Sequence, residues 1–350
     1  MTPPPTSPVR VCLYGLGAIG TSVARVLLTQ PGFEITCVVD NDPAKVGRDL
    51  RSILRLKDAS GVLVSDDAAR ALATGAPDRP DVVIHCTGSR IAEIAGQLTG
   101  ILDAGIPCVT SCEEMALPEA ADAGLAAELD RRARAAGVAL LAAGVNPGFV
   151  MDALVLALSG ATVDVTHISV ERVLDPLQRR RAFRRKVGLG MTHAEAARLV
   201  EQGRMGHIGL KQSALLIARG MGWRLTNIEE TIRILCEDDT PTTRSRRHPR
   251  PDASVTGLVQ TLAAGDGQRE LLRMEMVMAA GVEAPHDAMT ITGNPDLNLW
   301  IQGGVPGDQA TVACLLNGMT QVIAAPRPGL LTLLDLPLRA SRAPASLQPV

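Results

Sequence analysis

The sequence predicts an α/β fold: an N-terminal doubly wound parallel sheet followed by a second, α+β domain. Three observations carry this. Strand-like and helix-like segments alternate as far as Gly148, a rhythm that sets helices on both faces of a parallel sheet. The rhythm then breaks around "NPGFVMDALVLALSG" (146–160). And 350 residues exceed one typical domain, so two cores are expected.

The elements follow in order. "VRVCLYG" (9–15) is a short β-rich apolar run, and "AIGTSVARVLLT" (18–29) repeats apolar residues at helical spacing. "FEITCVVD" (33–40), "DVVIHCTG" (81–88), "IPCVTSC" (106–112) and "VALLAAGVNPG" (138–148) supply further strands, separated by helical stretches such as "AGLAAELDRRARAAG" (123–137). Past the turn at 146–148 a long helix is expected, then the strand-like "VTHISVERVLD" (165–175). "PGDQATVACLLNGMTQVIAAPRPG" reads as a terminal helix, with Gly307 and Asp308 at its start and Pro326 and Pro328 past its end; it is expected to pack back on the first domain. The expected division is a disordered arm at 1–8, a nucleotide domain at 9–147, an α+β domain at 148–305, the helix at 306–325 and a C-terminal segment and tail at 326–350. No internal repeat is present.

Composition narrows the function classes. No uncharged apolar run reaches the roughly 18–20 residues of a membrane span, and "MTPPPTSP" lacks the apolar stretch of a signal peptide, so a cytoplasmic protein is expected. Seven scattered cysteines form no C-x-x-C pair and read as reduced thiols, and the six histidines show no metal-ligand spacing. A net charge of −2 and 2% aromatic residues argue against nucleic acid, although "RRRAFRRK" (179–186) and "RSRRHPR" (244–250) are locally basic. The first basic run is read as a solvated or interface segment from which Arg179 or Lys186 could meet a substrate carboxylate.

"YGLGAIG" places Gly15-x-Gly17-Ala18-Ile19-Gly20 between a strand and a helix, and Asp40 closes the next strand 20 residues later. That is the full context of a Rossmann dinucleotide fingerprint. Gly15 permits the tight turn, Gly17 lets backbone N–H groups approach a pyrophosphate, and Gly20 lets helix pack on strand; the pyrophosphate sits on the helix N-terminus. An acid at the ribose, followed by Asn41 rather than arginine, favours NAD, while the nearby Lys45 and Arg48 leave room for NADP. Cys86-Thr87-Gly88-Ser89 leaves another strand at the carboxyl edge of the sheet, where ligands bind; it reads equally as an ordinary strand-to-helix turn.

"TSCEEMALP" (110–118) leaves a strand at the same edge, which brings Glu113, Glu114 and Met115 toward the nicotinamide half of a cofactor. The competing reading is that both carboxylates form the solvated first turn of a helix. Neighbours leaving a strand point to opposite sides, so only one of the pair is expected to face the cleft.

Together "GLGAIG", "VVDNDPAKVGRDL", "TSCEEMALP", "AAGVNPGFVMDALVLALSG", "GHIGLKQSALLIARGMGW", "TGNPDLNLWI" and "GGVPGDQATVACLLNGM" resemble the family of 2,4-diaminopentanoate dehydrogenases and native amine dehydrogenases, similar in fold to dihydrodipicolinate reductases. The matches run in order from about residue 10 to 337. The resemblance implies a Rossmann domain, a mixed-sheet substrate and dimerisation domain, NAD(P), a homodimer, and interconversion of an amine with a carbonyl plus ammonia. It also implies that the catalytic acid/base is Glu113, leaving Glu114 to the next helix or to a structural hydrogen bond. The small, apolar "SVTGLVQTLAAGDG" departs from the family pattern and points away from a charged amino-acid substrate. No H-H-x-x-K motif marks a dihydrodipicolinate reductase, and no A-N-K-like turn marks a homoserine dehydrogenase.

The chemistry implied is reductive amination, whose proton movements suit a carboxylate screened from water and so raised toward neutrality. Val145 and Asn146, in the turn at the expected domain junction, and His207, between glycines in "MGHIGL", are candidates for the substrate pocket; Asn146 could also hold the cofactor. A turn asparagine and a structural histidine are the alternatives. A cofactor-sensing protein without turnover is a further reading, against which Glu113 stands.

Overall fold

The computed structural model describes residues 8–76, 78–178, 181–237, 239, 250–338 and 340–341. Most of the N-terminal arm, Arg179, most of the second basic run and residues 342–350 lie outside the described residues. The chain divides into two compact units, Met1–Phe149 with Gly307–Val350, and Val150–Pro306.

In the first unit, β1 (Val9–Tyr14), β2 (Phe33–Val39), β3 (Val64–Ser65), β4 (Val82–His85), β5 (Cys108–Thr110) and β6 (Ala139–Ala142) join a C-terminal strand, Gly329–Leu331. Their order is the C-terminal strand, β6, β5, β4, β1, β2, β3, and every pairing is parallel. The order reverses at β1, which is the topology that opens a ligand crevice at the carboxyl ends of the strands. β4 and β6 are buried along their whole length, as expected of strands covered on both faces.

The terminal helix spans Gly307–Ile323 and buries Val312, Leu315, Met319 and Val322 in the core that contains Val109, Leu141 and Ala143. That spacing is one helical face, and each such side chain contributes roughly 1.5–3 kcal/mol by burial. A Cβ at Gly318 would stand 3.1 Å from Ala143 and 3.2 Å from Val109, so this glycine sets how closely the helix meets the sheet. The strand at Gly329–Leu331 falls in the stretch read from sequence as C-terminal segment and tail; three residues are too short a run to signal a strand locally, and pairing with β6 creates it.

In the second unit, β7 (Val163–Leu174), β8 (Asn227–Cys236), β9 (Val255–Gly265), β10 (Glu270–Ala279), β11 (His286–Asn294) and β12 (Leu297–Gln302) form one sheet in the order β12, β11, β7, β10, β9, β8. β7 and β10 are parallel and the other pairs antiparallel, so the sheet is mixed. The register aligns Val170 with Met274 and Leu262, and Arg172 with Met276 and Gln260, on one buried face. The opposite face carries Ser169, Glu171, Arg273, Thr290 and Trp300, the last 58% exposed.

Two expectations change here. The long helix expected after Asn146 is only Ala153–Ser159: Gly148 at φ +122° breaks helical geometry, and Asp152 caps the later start by accepting from Ala153 N at 2.6 Å. Asp152 also accepts from Ser213 Oγ at 2.8 Å, which ties this start to the helix Leu210–Met221. The apolar "SVTGLVQTLAAGDG" is strand β9, paired on both sides, so its small side chains fit a crowded sheet; a Cβ at Gly257 would come 2.2 Å from Met278 O. Its small residues therefore have a packing cause.

Candidate active site

The glycine loop follows β1 directly. Gly15 has φ +96°, and a Cβ there would lie 2.7 Å from Cys86 O; a Cβ on Gly20 would lie 1.9 Å from Gly15 O. These two glycines are fixed by the protein's own packing. Gly17 differs: no atom lies within 4 Å of where its Cβ would be. Gly17 is also the N-cap of the helix Ala18–Leu27, contributes no side-chain acceptor, and is followed by no acidic residue in the first turn. The helix N-terminus beside Gly17 is therefore uncapped by any side chain and adjoins open space, an arrangement suited to an anion, although Ala18, Ile19 and Gly20 do not themselves line that space.

That space belongs to a cleft of about 400 Å³ lined by Gly15, Gly17, Asp40, Asn41, Cys86 and Thr87, together with Tyr14, Val39, Asp42, Lys45, Asp66 and Gln97. Asp40, 9% exposed, accepts from Leu16 N at 2.6 Å and from Asp42 N at 2.9 Å, so the same carboxylate that faces the cleft also anchors the glycine loop. Lys45 Nζ lies 3.2 Å from Asp40 and 3.3 Å from Asp42. Arg48 points elsewhere, donating to Ala44 O at 3.1 Å. Gly88 and Ser89 stand behind the cleft: a Cβ on Gly88 would meet Ile94 at 2.9 Å, and Ser89 O accepts from Glu114 N at 3.2 Å. Tyr14, Asp66, Lys45 and Gln97 join the lining without belonging to the fingerprint; of these the sequence singles out only Lys45, as a charge near Asp40, while Tyr14 carries an unused signal, the position just before Gly15.

Glu113 and Glu114 do not leave the strand in extended form. β5 ends at Thr110, and Glu113–Ala116 form a single 3₁₀ turn. The two carboxylates diverge because successive residues rotate around that turn. Glu114 is committed: Oε2 accepts from Ile91 N at 2.8 Å, and Oε1 lies 3.4 Å from Arg90. Ile91 opens the helix Ile91–Asp103, whose N-cap Arg90 offers no side-chain acceptor, so Glu114 caps that helix from outside. The helix it serves precedes it in sequence. Glu113, half-buried, makes no hydrogen bond or ion pair with its carboxylate among the described residues. Met115, expected at a pocket wall, is 1% exposed and packed inward by the same turn.

The turn Gly144–Gly148 is tight, with a cis peptide before Pro147 and a Cβ at Gly148 only 2.9 Å from Gly144 N. Val145 N donates to Thr311 Oγ1 at 3.4 Å, and Asn146 is 8% exposed; both belong to the first unit, and neither lines the cleft just described. His207 belongs to the second unit, where Gln260 grips its backbone, accepting from N at 2.7 Å and donating to O at 2.9 Å. Burial pushes its imidazole well below the usual value, helped by the charges of Lys186 and Arg172, and Nε2 is enclosed without a hydrogen-bond partner. As placed, Nε2 is closed to a substrate.

A crevice at the strand-order reversal, a helix N-terminus free for an anion and an acid at the ribose position define a dinucleotide-dependent dehydrogenase. Residues 15–142 match the model described as "Homoserine dehydrogenase, NAD binding domain", and NAD is the cofactor. Residues 149–346 match "2,4-diaminopentanoate dehydrogenase C-terminal domain". A 2,4-diaminopentanoate dehydrogenase of Acetoanaerobium sticklandii is 31% identical over 343 residues, covering 94% of each chain. An amine dehydrogenase of Streptomyces virginiae is 25% identical, covering 95% of this chain and 97% of its own. The solved amine dehydrogenase of Mycobacterium smegmatis superposes with a TM-score of 0.82 at 25% identity, covering 96% and 98%. The chain belongs to the 2,4-diaminopentanoate dehydrogenase family.

Proposed function

We propose that the chain is an NAD-dependent amine dehydrogenase that aminates a small ketone or aldehyde with ammonia and catalyses the reverse deamination. The observation that carries this is the pair at the end of β5: a spent carboxylate, Glu114, beside an unspent one, Glu113, on a turn leaving the edge that bears the dinucleotide cleft. Bound NAD supplies the hydride acceptor, and in reduced form the hydride donor, at nicotinamide C4. Glu113 takes a proton from ammonium, so that the ammonia formed attacks the carbonyl carbon, returns that proton to the carbinolamine hydroxyl as it leaves as water, and holds the cationic iminium by charge; such a group is worth about 10²–10⁴ in rate. The glycine loop holds the pyrophosphate and Asp40 the ribose, while Lys45 gives a 2′-phosphate a counter-charge and so supports some use of NADP.

A second reading, 2,4-diaminopentanoate as substrate, is favoured by the 31% identical relative of that name. Action in the cytoplasm agrees with seven free cysteines. Homodimer formation through the second unit's sheet is supported by its open face, where exposed Trp300 stacks on His286 at 3.7 Å; light scattering would return a monomer if this is wrong.

The function is tested by NADH oxidation across a carbonyl panel with and without ammonium. Oxidation should require both, and the diamino acid against simple amines decides between the two substrates. Glu113→Gln should lower turnover by about 10² or more with NADH binding intact, while Glu114→Gln should act on stability. Turnover lost in Glu114→Gln but kept in Glu113→Gln would reverse the roles.

A further inference from the structure

His85 ends β4 beneath the cleft and is fully buried. Its ring contacts select one tautomer when the Gln97 amide oxygen faces the ring, as it does here. Gln97 Oε1 can only accept; it receives Thr87 Oγ1 at 2.6 Å and lies 2.8 Å from His85 Nε2, and Thr87 Oγ1 also lies 2.9 Å from Nε2, so with the Thr87 proton directed to Gln97 the ring proton is on Nε2, shared between the two oxygens. Burial pushes the imidazole down to about 4, which keeps it neutral, and Nδ1 is then an acceptor. Thr110 Oγ1, 2.9 Å from Nδ1, must give it a proton, and that leaves the Thr110 oxygen free to accept from Cys112 N at 3.2 Å. The bonds run in one direction on each side of the ring: Cys112 N–H to Thr110 to Nδ1, and Nε2–H to Gln97, which Thr87 also meets. Tyr14 stands against the ring at 5.3 Å between centroids.

We propose that His85 is a positioning residue that ties two parts of the site together. On one side it fixes Thr87 and Gln97, which line the dinucleotide cleft. On the other it fixes the Cys112 peptide, the N-cap of the turn that begins at Glu113. A single buried ring thus sets where the carboxylate stands relative to the cofactor bed. It never touches the reacting atoms; it acts through Thr110. The inference rests on the role proposed for Glu113.

The test uses the full chain labelled with ¹⁵N-histidine. At pH 7 the His85 ring, assigned by its shift in Thr110→Ser, should show a protonated Nε2 and an unprotonated Nδ1. Thr110→Val keeps the shape of the side chain but removes both bonds, and should lower kcat about tenfold, the scale of one unsatisfied buried hydrogen bond. NADH affinity should stay within about twofold, Cys112 amide exchange should speed up, and Thr110→Ser should restore both kcat and the exchange rate. An Nδ1–H tautomer, an imidazolium at pH 7, or a folded Thr110→Val with unchanged kcat and Cys112 exchange would overturn the proposal. A wild-type enzyme without amine turnover would sink the amine dehydrogenase reading alone, since the tautomer and the amide exchange would still decide the relay.

Discussion

The two sheets bury their polar residues under different rules. In the parallel sheet of the first unit the interiors of β4, β5 and β6 are apolar, and polar side chains gather where strands end: Tyr14, His85 and Thr110 close three adjacent strands and share one network. In the mixed sheet of the second unit polar groups sit in mid-strand. Arg172 and Asp287 face each other on neighbouring strands, 3.4 Å apart, and Val305 joins them by accepting from Arg172 and donating to Asp287 at 2.7 Å. Burial outweighs that arginine and raises the Asp287 carboxyl. In a parallel sheet all carboxyl ends share one edge, so position in the chain already says which residues meet a ligand. An alternating strand reveals only which face a residue takes.

The sharpest way to break this comparison is by glycine. Gly17→Val places a branched side chain where nothing of the protein stands, so the variant should fold with its unfolding midpoint unchanged while NADH affinity falls by about 10² or more. Gly257→Val should do the reverse. Its Cβ would collide with the backbone at Met278, costing about 3 kcal/mol by overpacking, and the loss should appear as a lower midpoint rather than as a selective loss of NADH binding. Equal effects of the two variants on both readouts would end the distinction between a ligand glycine and a packing glycine.

Acid sharpens it next, because each unit holds one histidine whose imidazole is pushed down by desolvation. The folded protein refuses a proton at His85 down to about pH 4, whereas the unfolded chain accepts one near 6.5. Stability from this ring is therefore complete above the unfolded value and is lost as pH falls through the window, by about 2 kcal/mol at pH 5 and about 3 kcal/mol in full. His207 has the same sign, also chiefly from burial. Carboxylates held low by partners, among them Asp49 and Asp81, add their losses mainly below pH 5, so urea unfolding between pH 7 and 5 reads the histidines. His207→Asn should flatten part of the slope. A flat profile in the wild type would mean that neither ring is buried in solution.

What could be read from the sequence follows the same division. In the first unit β1, β2, β4, β5 and β6, the fingerprint and Asp40 were legible because each is a short local pattern with one geometric meaning, whereas β3 and the strand at Gly329–Leu331 are too short to signal themselves. Lys45 was visible only as a nearby charge, and Gln97 not at all, since their place on the cleft depends on how a loop and a helix return to the sheet. Glu114 was legible as a carboxylate but not as the cap of a helix 23 residues earlier. In the second unit the parallel pairing of β7 with β10 joins segments about 100 residues apart, and no local periodicity encodes it. The short helix at Ala153–Ser159 was overestimated because apolar spacing continued through a turn that Gly148 and Asp152 break.

The smallest expected effect concerns the choice between coenzymes, and it turns on how Asp40 is spent. Its carboxylate holds Leu16 N, Asp42 N and Lys45 at once, so replacing it by alanine would loosen the glycine loop as well as the ribose contact. Asp40→Asn keeps an acceptor for the loop and removes the charge, and it should shift preference toward NADP by relieving repulsion of the 2′-phosphate. Lys45→Ala should move preference the other way. A half-buried cation of this kind is worth about 1 kcal/mol, so NADP affinity should fall about fivefold while NAD changes by less than about twofold. The pair makes the measurement self-checking, because the two substitutions alter the same small patch with opposite sign. If both variants lose NAD and NADP equally, Asp40 and Lys45 serve only to brace the loop, and the acid that selects the ribose must be sought among the other carboxylates on the cleft, Asp42 and Asp66.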